Sequence, residues 1–222
     1  MKTITQNLQN LKSSLENKPQ INIVVVTKTR SPEEIQEAIA AGATSIGENR
    51  VQEAEQKFPK IQNIEKTEKR LIGRLQSNKA KKAVKIFDTI DSVHSFKLAK
   101  RISKRAVLIE KTVPVLLEVK TSDEKRKFGF GVEEIDEMLL CTDLPNVKVE
   151  GLMTMAPFTQ DQVKIRKSFS TLRLLLQKLN NLKSGIKMHE LSMGMSSDFE
   201  IAVEEGSTMV RLGTVLFGKR KT

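Results

Sequence analysis

One lysine of the sequence is placed where its amine could act as a nucleophile. The run of mostly β-branched residues from Ile21 to Val26 is typical of a strand buried on both faces, and Lys28 follows it by two positions. An amine that is partly desolvated at the end of such a strand has a lowered pKa and can attack an aldehyde. Lysines at strand ends are also commonly solvated surface residues, so this feature alone leaves both interpretations open.

A second group of residues could bind a phosphate. Ser192, Gly194 and Ser196 form a small-residue loop that runs into a predicted helix capped at Ser196 or Ser197. Free backbone N–H groups at a helix N-terminus, with hydroxyl groups beside them, attract anions. Further along, the sequence offers a cation, an open backbone position and another hydroxyl: Arg211, Gly213 and Thr214. The alternative explanation is that the glycines only turn the chain.

The elements that must position these residues alternate between strand and helix. After the strand at 21–26, further strands are predicted near 44–47, 70–74, 87–91, 113–119, 147–153, 188–192 and 208–212. Amphipathic helical patterns are predicted at 1–17, 50–57, 78–86, 95–106, 132–141, 162–182 and 197–205. This alternation favours an α/β fold, a single (β/α)8 TIM-type barrel over residues 1–222 with an extra N-terminal helix.

Two helices carry explicit start signals. Ser31, Pro32 and Glu34 supply an N-cap, a proline at the first helical position and the acid of a capping box, and Gly42 is a suitable stop. Ser197 with Glu200 predicts a second capping box at the start of the last helix.

A barrel would bring the two chemical groups to the same face. The carboxyl ends of its strands meet at one mouth, and the loops after strands seven and eight commonly bind phosphate there. Lys28 would lie at the same mouth, after the first strand. A ligand with an anionic end and an aldehyde would suit both groups, and pyridoxal 5′-phosphate (PLP) has both.

The amino-acid composition argues against several other classes of function. The 222 residues have a formal net charge of +11 and include one Cys, two His and no Trp or Tyr. Cys141 alone excludes an internal disulfide, and these soft ligands are too few for a usual zinc site, so no metal is expected. Without a signal peptide or a membrane-spanning run, we expect a cytoplasmic protein with no membrane partner. The basic residues are spread along the chain without Tyr or Trp for base stacking, which disfavours a nucleic-acid-binding module.

Five segments resemble a known family. They are VVVTKT (24–29), IGENRVQE (46–53), IGRLQSNK (72–79), GLMTMAP (151–157) and SMGMSSDFEIAVEEGSTMVRLGT (192–214). In this order they are similar to the pyridoxal phosphate homeostasis proteins, also called the YggS/PROSC family. Arg50 stands where that family often has Tyr, and residues 69–73 replace a WHFIG segment. These departures change the barrel mouth but leave the lysine and the phosphate-binding segments in place.

The resemblance implies an alanine-racemase-like barrel, monomeric in many members, that holds PLP as a Schiff base. By the family pattern Lys28 would form the Schiff base, Asn49 and Met153 would lie beside the cofactor ring, and Arg211 would face the pyridine nitrogen. The phosphate would be surrounded by Ser192, Gly194, Ser196, Gly213 and Thr214. The implied role is to buffer PLP and deliver it to the free pool or to apo forms of PLP-dependent enzymes, without established turnover.

Two features favour a carrier over a catalyst. Electron-sink chemistry usually needs a carboxylate beside the pyridine nitrogen, whereas Arg211 only donates hydrogen bonds and stays charged. Racemases pair Lys with Tyr as acid and base, and this chain has no Tyr. Glu48, Asp123 and His94 are expected in a loop salt bridge, an exposed loop and an exposed helix start. The alternative is a PLP-dependent enzyme acting on amino acids, such as a slow racemase.

Overall fold

Eight parallel strands form a closed barrel in the computed structural model, which describes residues 3–16, 18, 20–122 and 128–218. The strands are β1 (Asn22–Val26), β2 (Ser45–Glu48), β3 (Glu68–Leu71), β4 (Thr89–Val93), β5 (Val113–Lys120), β6 (Phe130–Gly131), β7 (Val147–Met153), β8 (Glu190–Met195) and β9 (Met209–Leu212). The barrel order is β1, β2, β3, β4, β5, β7, β8 and β9, closed by pairing of β9 with β1. The two-residue β6 pairs with β5 outside this ring.

Helices surround the barrel. They are α1 (Ile4–Leu15), α2 (Pro32–Ala40), α3 (Val51–Lys57), α4 (Ala80–Ile86), α5 (Phe96–Val107), α6 (Ile135–Cys141), α7 (Gln162–Leu182), α8 (Phe199–Glu204) and α9 (Thr214–Phe217). The predicted (β/α)8 barrel and the extra N-terminal helix are confirmed, whereas β6 and α9 were not predicted. No helix within the described ranges is long and apolar enough to cross a membrane.

The interior of the barrel and its outer surface are separated by the alternation of side chains along each strand. On β5, Val115 and Leu117 belong to the large core between the strands and the helices. Leu116 instead packs inside the barrel with Val24, Met153 and Met209. Both faces of β5 are therefore buried, which explains why most of this strand is a continuous apolar run in the sequence.

Polar side chains lie above this apolar interior cluster on two strands. Side chains two positions apart on a strand point to the same face. Glu118 therefore follows Leu116 on the inside of β5, and Arg211 follows Met209 on the inside of β9. Both polar residues lie one step nearer the carboxyl ends of their strands, so the interior becomes polar towards the mouth.

The structure confirms one predicted capping box and corrects the other. At α2, the Glu34 N–H donates to Ser31 Oγ at 3.3 Å and the Ser31 N–H donates to Glu34 Oε2 at 2.9 Å. The prediction of a cap at Ser196 or Ser197 was wrong, because α8 begins at Phe199 with Asp198 as its N-cap. Strand β8 continues to Met195, which moves the start of the helix along the chain.

Candidate functional site

The predicted site residues lie at or near the carboxyl ends of the barrel strands. Parallel strands in a closed barrel place these ends at a single mouth. The residues that directly follow or end a strand, or lie within three positions of its end, are Lys28, Asn49, Met153, Ser192, Gly194, Ser196, Arg211, Gly213 and Thr214. They differ in burial and in the contacts they make, and these contacts show what each residue can do.

Lys28 lies in a tight turn that follows β1. The Arg30 N–H donates to the Thr27 carbonyl at 3.0 Å, which closes a four-residue turn around Lys28 and Thr29. Thr29 has a φ of 62°, in the left-handed region that β-branched residues rarely adopt. Lys28 itself is half-buried. The turn therefore holds the lysine at the mouth in an environment between the barrel interior and water.

A partly buried cluster of charges lies beside this turn. Lys57 Nζ donates to the Thr27 carbonyl at 2.9 Å, to Glu48 Oε1 at 3.1 Å and to Glu53 Oε1 at 2.5 Å. Burial raises the pKa of Glu48, although Lys57 opposes it. Burial also opposes ionisation of Glu53, but hydrogen bonds from Lys57 and the Thr29 N–H hold the pKa of Glu53 below its usual value. The predicted salt bridge of Glu48 is confirmed, although Glu48 ends β2 and does not lie in a loop.

Arg211 lies inside the barrel with its guanidinium fixed by three hydrogen bonds. Nη1 donates to the carbonyl and the hydroxyl of Ser192, both at 2.7 Å, and Nη2 donates to the Thr154 carbonyl at 2.7 Å. The residue is only 5% exposed, and burial lowers its pKa while Asp91 and Glu118 oppose that effect. A guanidinium nevertheless stays charged in proteins and has no acceptor. Arg211 can therefore offer only hydrogen-bond donors to a ligand.

Sequence reasoning missed the buried charges that surround Arg211. Asp91 is fully buried and accepts from Arg70 Nε at 3.2 and 3.0 Å. Glu118 is 6% exposed, and burial raises its pKa to about 7 while Arg211 and Arg74 oppose the shift. Glu118 interrupts the apolar run of β5, and Asp91 lies within a predicted strand; a charged residue inside a strand is the sequence signal that could have identified them. Both carboxyl groups lie near enough to Arg211 to oppose the lowering of its pKa by burial.

The segment around Gly194 is part of a strand. Ser192 and Gly194 were predicted in a loop, and this prediction was wrong because β8 extends to Met195. The pairing of β8 with β9 shifts register between Ser192 and Met195, and Gly194 has a φ of +99°. A Cβ at Gly194 would lie 2.6 Å from Ala202 Cβ. The bulge therefore requires glycine, because α8 packs closely against the strand at this position.

The loops after β8 and β9 come together beside the end of β1. The Val215 N–H donates to Ser196 Oγ at 3.4 Å, which joins the two loops. A Cβ at Gly213 would lie 3.3 Å from Val26 Cβ, so Gly213 contacts β1 two residues before Lys28. Thr214 is exposed at the start of α9. The result is a rim of small and hydroxyl-bearing residues next to the lysine turn.

The remaining predicted residues lie elsewhere on the mouth. Asn49 lines a cleft of about 630 Å³ together with Gly73 and Arg74. Met153 is 1% exposed and belongs to the apolar interior cluster. His94 was expected at an exposed helix start, but it is half-buried and its ring lies 6.1 Å from that of Phe128.

Asp123 lies outside the described residues, so the structure does not bear on its expected place in an exposed loop. Burial lowers the pKa of His94, which disfavours its charged form.

The chain is similar to a family model, to several named proteins and to solved structures. The family model "Alanine racemase, N-terminal domain" matches residues 1–221. The pyridoxal phosphate homeostasis protein of Aquifex aeolicus is 42% identical over 196 residues, which cover 88% of this chain and 85% of that protein. The structure of PipY from Synechococcus elongatus PCC7942 with PLP bound has a TM-score of 0.91 at 36% identity, covering 97% of this chain and 100% of PipY.

More distant structures share the fold alone. An alanine racemase from Clostridium difficile 630 has a TM-score of 0.83 at 18% identity, and the match covers 99% of this chain but 57% of the racemase chain. This similarity supports the barrel architecture and carries no information about activity.

Proposed function

Because the chain belongs to the pyridoxal phosphate homeostasis proteins of the alanine racemase N-terminal domain family, we propose that it binds PLP at the barrel mouth and takes part in PLP homeostasis. The observation that carries this proposal is the contact of Gly213 with the end of β1. That contact brings the small-residue rim to within two residues of Lys28. An amine and an anion-binding rim are thus adjacent, as a phosphorylated aldehyde requires.

Lys28 is the residue that would hold the cofactor covalently. PLP supplies an aldehyde carbon, to which the unprotonated Lys28 amine adds with loss of one water to give a Schiff base. Lys28 is half-buried, so part of its side chain stays open to a ligand at the mouth.

The rim residues fit the phosphate end. Ser196 and Thr214 bring hydroxyl groups, while Gly194 and Gly213 leave backbone positions without a side chain. Hydroxyl and backbone N–H donors are the usual partners of a bound phosphate. Ser192 has a different place, because its hydroxyl and carbonyl both accept hydrogen bonds from Arg211. We infer that Ser192 acts on the cofactor chiefly by fixing that arginine.

Arg211, Asn49 and Met153 are the proposed neighbours of the cofactor ring. A guanidinium donor beside the pyridine nitrogen would keep that nitrogen unprotonated and weaken the ring as an electron sink. The chain also lacks the tyrosine of a two-base racemase. We therefore propose a carrier that stores PLP and releases it to apo-enzymes or to the free pool, without robust turnover.

One observation favours the alternative of an amino-acid-directed enzyme. Glu118 lies inside the barrel, and its pKa of about 7 suits general acid and base catalysis at neutral pH. An enzyme of this kind would exchange the α-proton of an amino acid with solvent. A carrier would not, so incubation of the PLP-loaded protein with amino acids in deuterated water should give no exchange above that of free PLP. Exchange that disappears in Glu118→Gln would support the enzyme and contradict the carrier.

Binding and delivery are tested with two further measurements. Lys28→Ala should lose the visible absorbance of the Schiff base but keep part of the affinity, because the phosphate rim is a separate interaction. Lys82→Ala, on the outer surface, is the matched control and should behave as the wild type. For delivery, PLP-loaded protein should activate an apo-aminotransferase faster than PLP dissociates into buffer. Equal rates would restrict the function to buffering.

A further inference from the structure

The backbone on both sides of Lys28 is hydrogen bonded to side chains of α3. Lys57 Nζ donates to the carbonyl of Thr27, and the N–H of Thr29 donates to Glu53 Oε1 at 2.5 Å. Thr27 precedes the lysine and Thr29 follows it. The turn is therefore attached at two points to a helix that does not itself carry the nucleophile.

The two attachments belong to one connected cluster. Lys57 and Glu53 form an ion pair at 2.5 Å, and their side chains are only 12% and 23% exposed. The Thr27 hydroxyl donates to Glu48 Oε1 at 2.8 Å, and Glu48 in turn accepts from Lys57. Hydrogen bonds to a charged group are stronger than those between neutral groups. The bond to Thr29 lies at the exposed edge of the cluster and the bond to Thr27 is partly buried, and together they hold the turn at both ends.

The conformation of Thr29 indicates that the turn needs to be held. A left-handed φ of 62° is unfavourable for a residue with a branched Cβ, and such conformations persist only where their surroundings enforce them. Two hydrogen bonds hold it here: the turn bond from the Arg30 N–H to the Thr27 carbonyl, and the bond from the Thr29 N–H to Glu53. Without the bond to Glu53 only the turn bond remains, so the backbone of Thr29 would more often take negative φ values and the direction of Lys28 would change.

We propose that Glu53 and Lys57 are positioning residues for Lys28, which fix its turn so that the amine meets the aldehyde of PLP. This proposal rests on the proposed function. Neither residue is assigned a contact with the cofactor, so both act through the backbone of the turn. Their loss should slow the formation of the Schiff base and leave binding at the phosphate rim unchanged.

The chain offers a matched control on the same helix. Glu55 of α3 forms an ion pair with Lys82 at 2.7 Å, but both side chains are exposed and neither contacts the turn. We would compare Glu53→Ala with Glu55→Ala in stopped-flow measurements of Schiff-base absorbance after addition of PLP. Loss of a charge-assisted bond that orients a nucleophile should slow the reaction by about tenfold or more. Glu55→Ala should keep the wild-type rate.

Two further variants separate positioning from a general loss of structure. Glu53→Gln retains an oxygen that can accept the Thr29 N–H and should restore most of the rate. Thr29→Gly in the Glu53→Ala background should also restore it, because glycine adopts a left-handed φ without penalty. Inorganic phosphate should compete with PLP equally well in all variants. Hydrogen exchange of the backbone amide at position 29 should accelerate only in Glu53→Ala and in the double variant.

The outcomes distinguish the two proposals. A wild-type rate in Glu53→Ala, an equal loss in Glu55→Ala, or no rescue by Thr29→Gly would overturn the positioning role and leave the proposed function standing. Absence of a Schiff base in the wild-type protein would overturn the proposed function, and the positioning role with it.

Discussion

Replacement of Glu118 by Gln should make the protein more stable at neutral and alkaline pH than the wild type. Glu118 is 6% exposed inside the barrel, and burial raises the pKa of its carboxyl from 4.5 to about 7 even though Arg211 opposes the shift. The folded protein therefore holds a proton that the unfolded chain releases. Glutamine has the same shape and keeps the neutral state at every pH.

The magnitude follows from the two pKa values. Below the unfolded pKa of 4.5 the carboxyl is protonated in both states and costs nothing. As pH rises towards the folded pKa of about 7, the unfolded chain alone ionises, so the wild type loses stability. Above that value the loss is complete, and a shift of about 2.5 pH units corresponds to about 3 kcal/mol. Glu118→Gln should escape this loss.

Urea denaturation between about pH 4 and pH 9 measures the effect directly. The difference in unfolding free energy between Glu118→Gln and the wild type should move in favour of the variant by about 3 kcal/mol across this range. Glu37→Gln on the exposed face of α2 serves as the control and should follow the wild-type profile. Parallel profiles for Glu118→Gln and the wild type would refute the reasoning, as would a wild type that gains stability relative to the variant with rising pH.

Three other results are expected from the same structure. Gly194→Ala should lower the affinity for PLP by about tenfold in a fluorescence titration. The new Cβ would lie 2.6 Å from Ala202 Cβ, and the φ of +99° is strained for alanine. An unchanged affinity would remove Gly194 from the phosphate rim. The thiol of Cys141 is fully buried, and burial raises its pKa to about 12. An aromatic disulfide reagent should therefore react with it only after denaturation. Rapid reaction in the native protein would contradict this burial. Phe169→Ala should reduce the unfolding free energy by about 3–5 kcal/mol in urea, whereas the exposed Leu174→Ala on the same helix should change it little; equal effects would show that α7 packs differently.

The sequence predicted the fold well because parallel strands and amphipathic helices have strong local patterns. Strands β1 and β5 are largely apolar runs, and Ser31 with Glu34 marks the start of α2. The end of β8 was misplaced because the bulge at Gly194 lets the strand continue through residues typical of a loop. The four-residue α9 is too short to show a helical period.

The candidate site could be predicted only in part. The position of Lys28 after β1 follows from the barrel, because a strand end determines which side of the fold a residue faces. The contacts that define its environment join residues far apart in the chain, such as Thr29 with Glu53 and Arg211 with the carbonyl of Thr154. Such pairs arise from barrel closure and from the register of the strands. A threonine with a positive φ also has no sequence signal, unlike a glycine.

The covalent link between Lys28 and PLP is tested most directly by hydride trapping followed by peptide mass spectrometry. Borohydride reduces a Schiff base to a stable secondary amine, which marks the lysine that formed it. One phosphopyridoxyl group per chain is expected on the peptide containing Lys28, and none at that position in Lys28→Ala. A modification on another amine, or no modification after incubation with PLP, would contradict it.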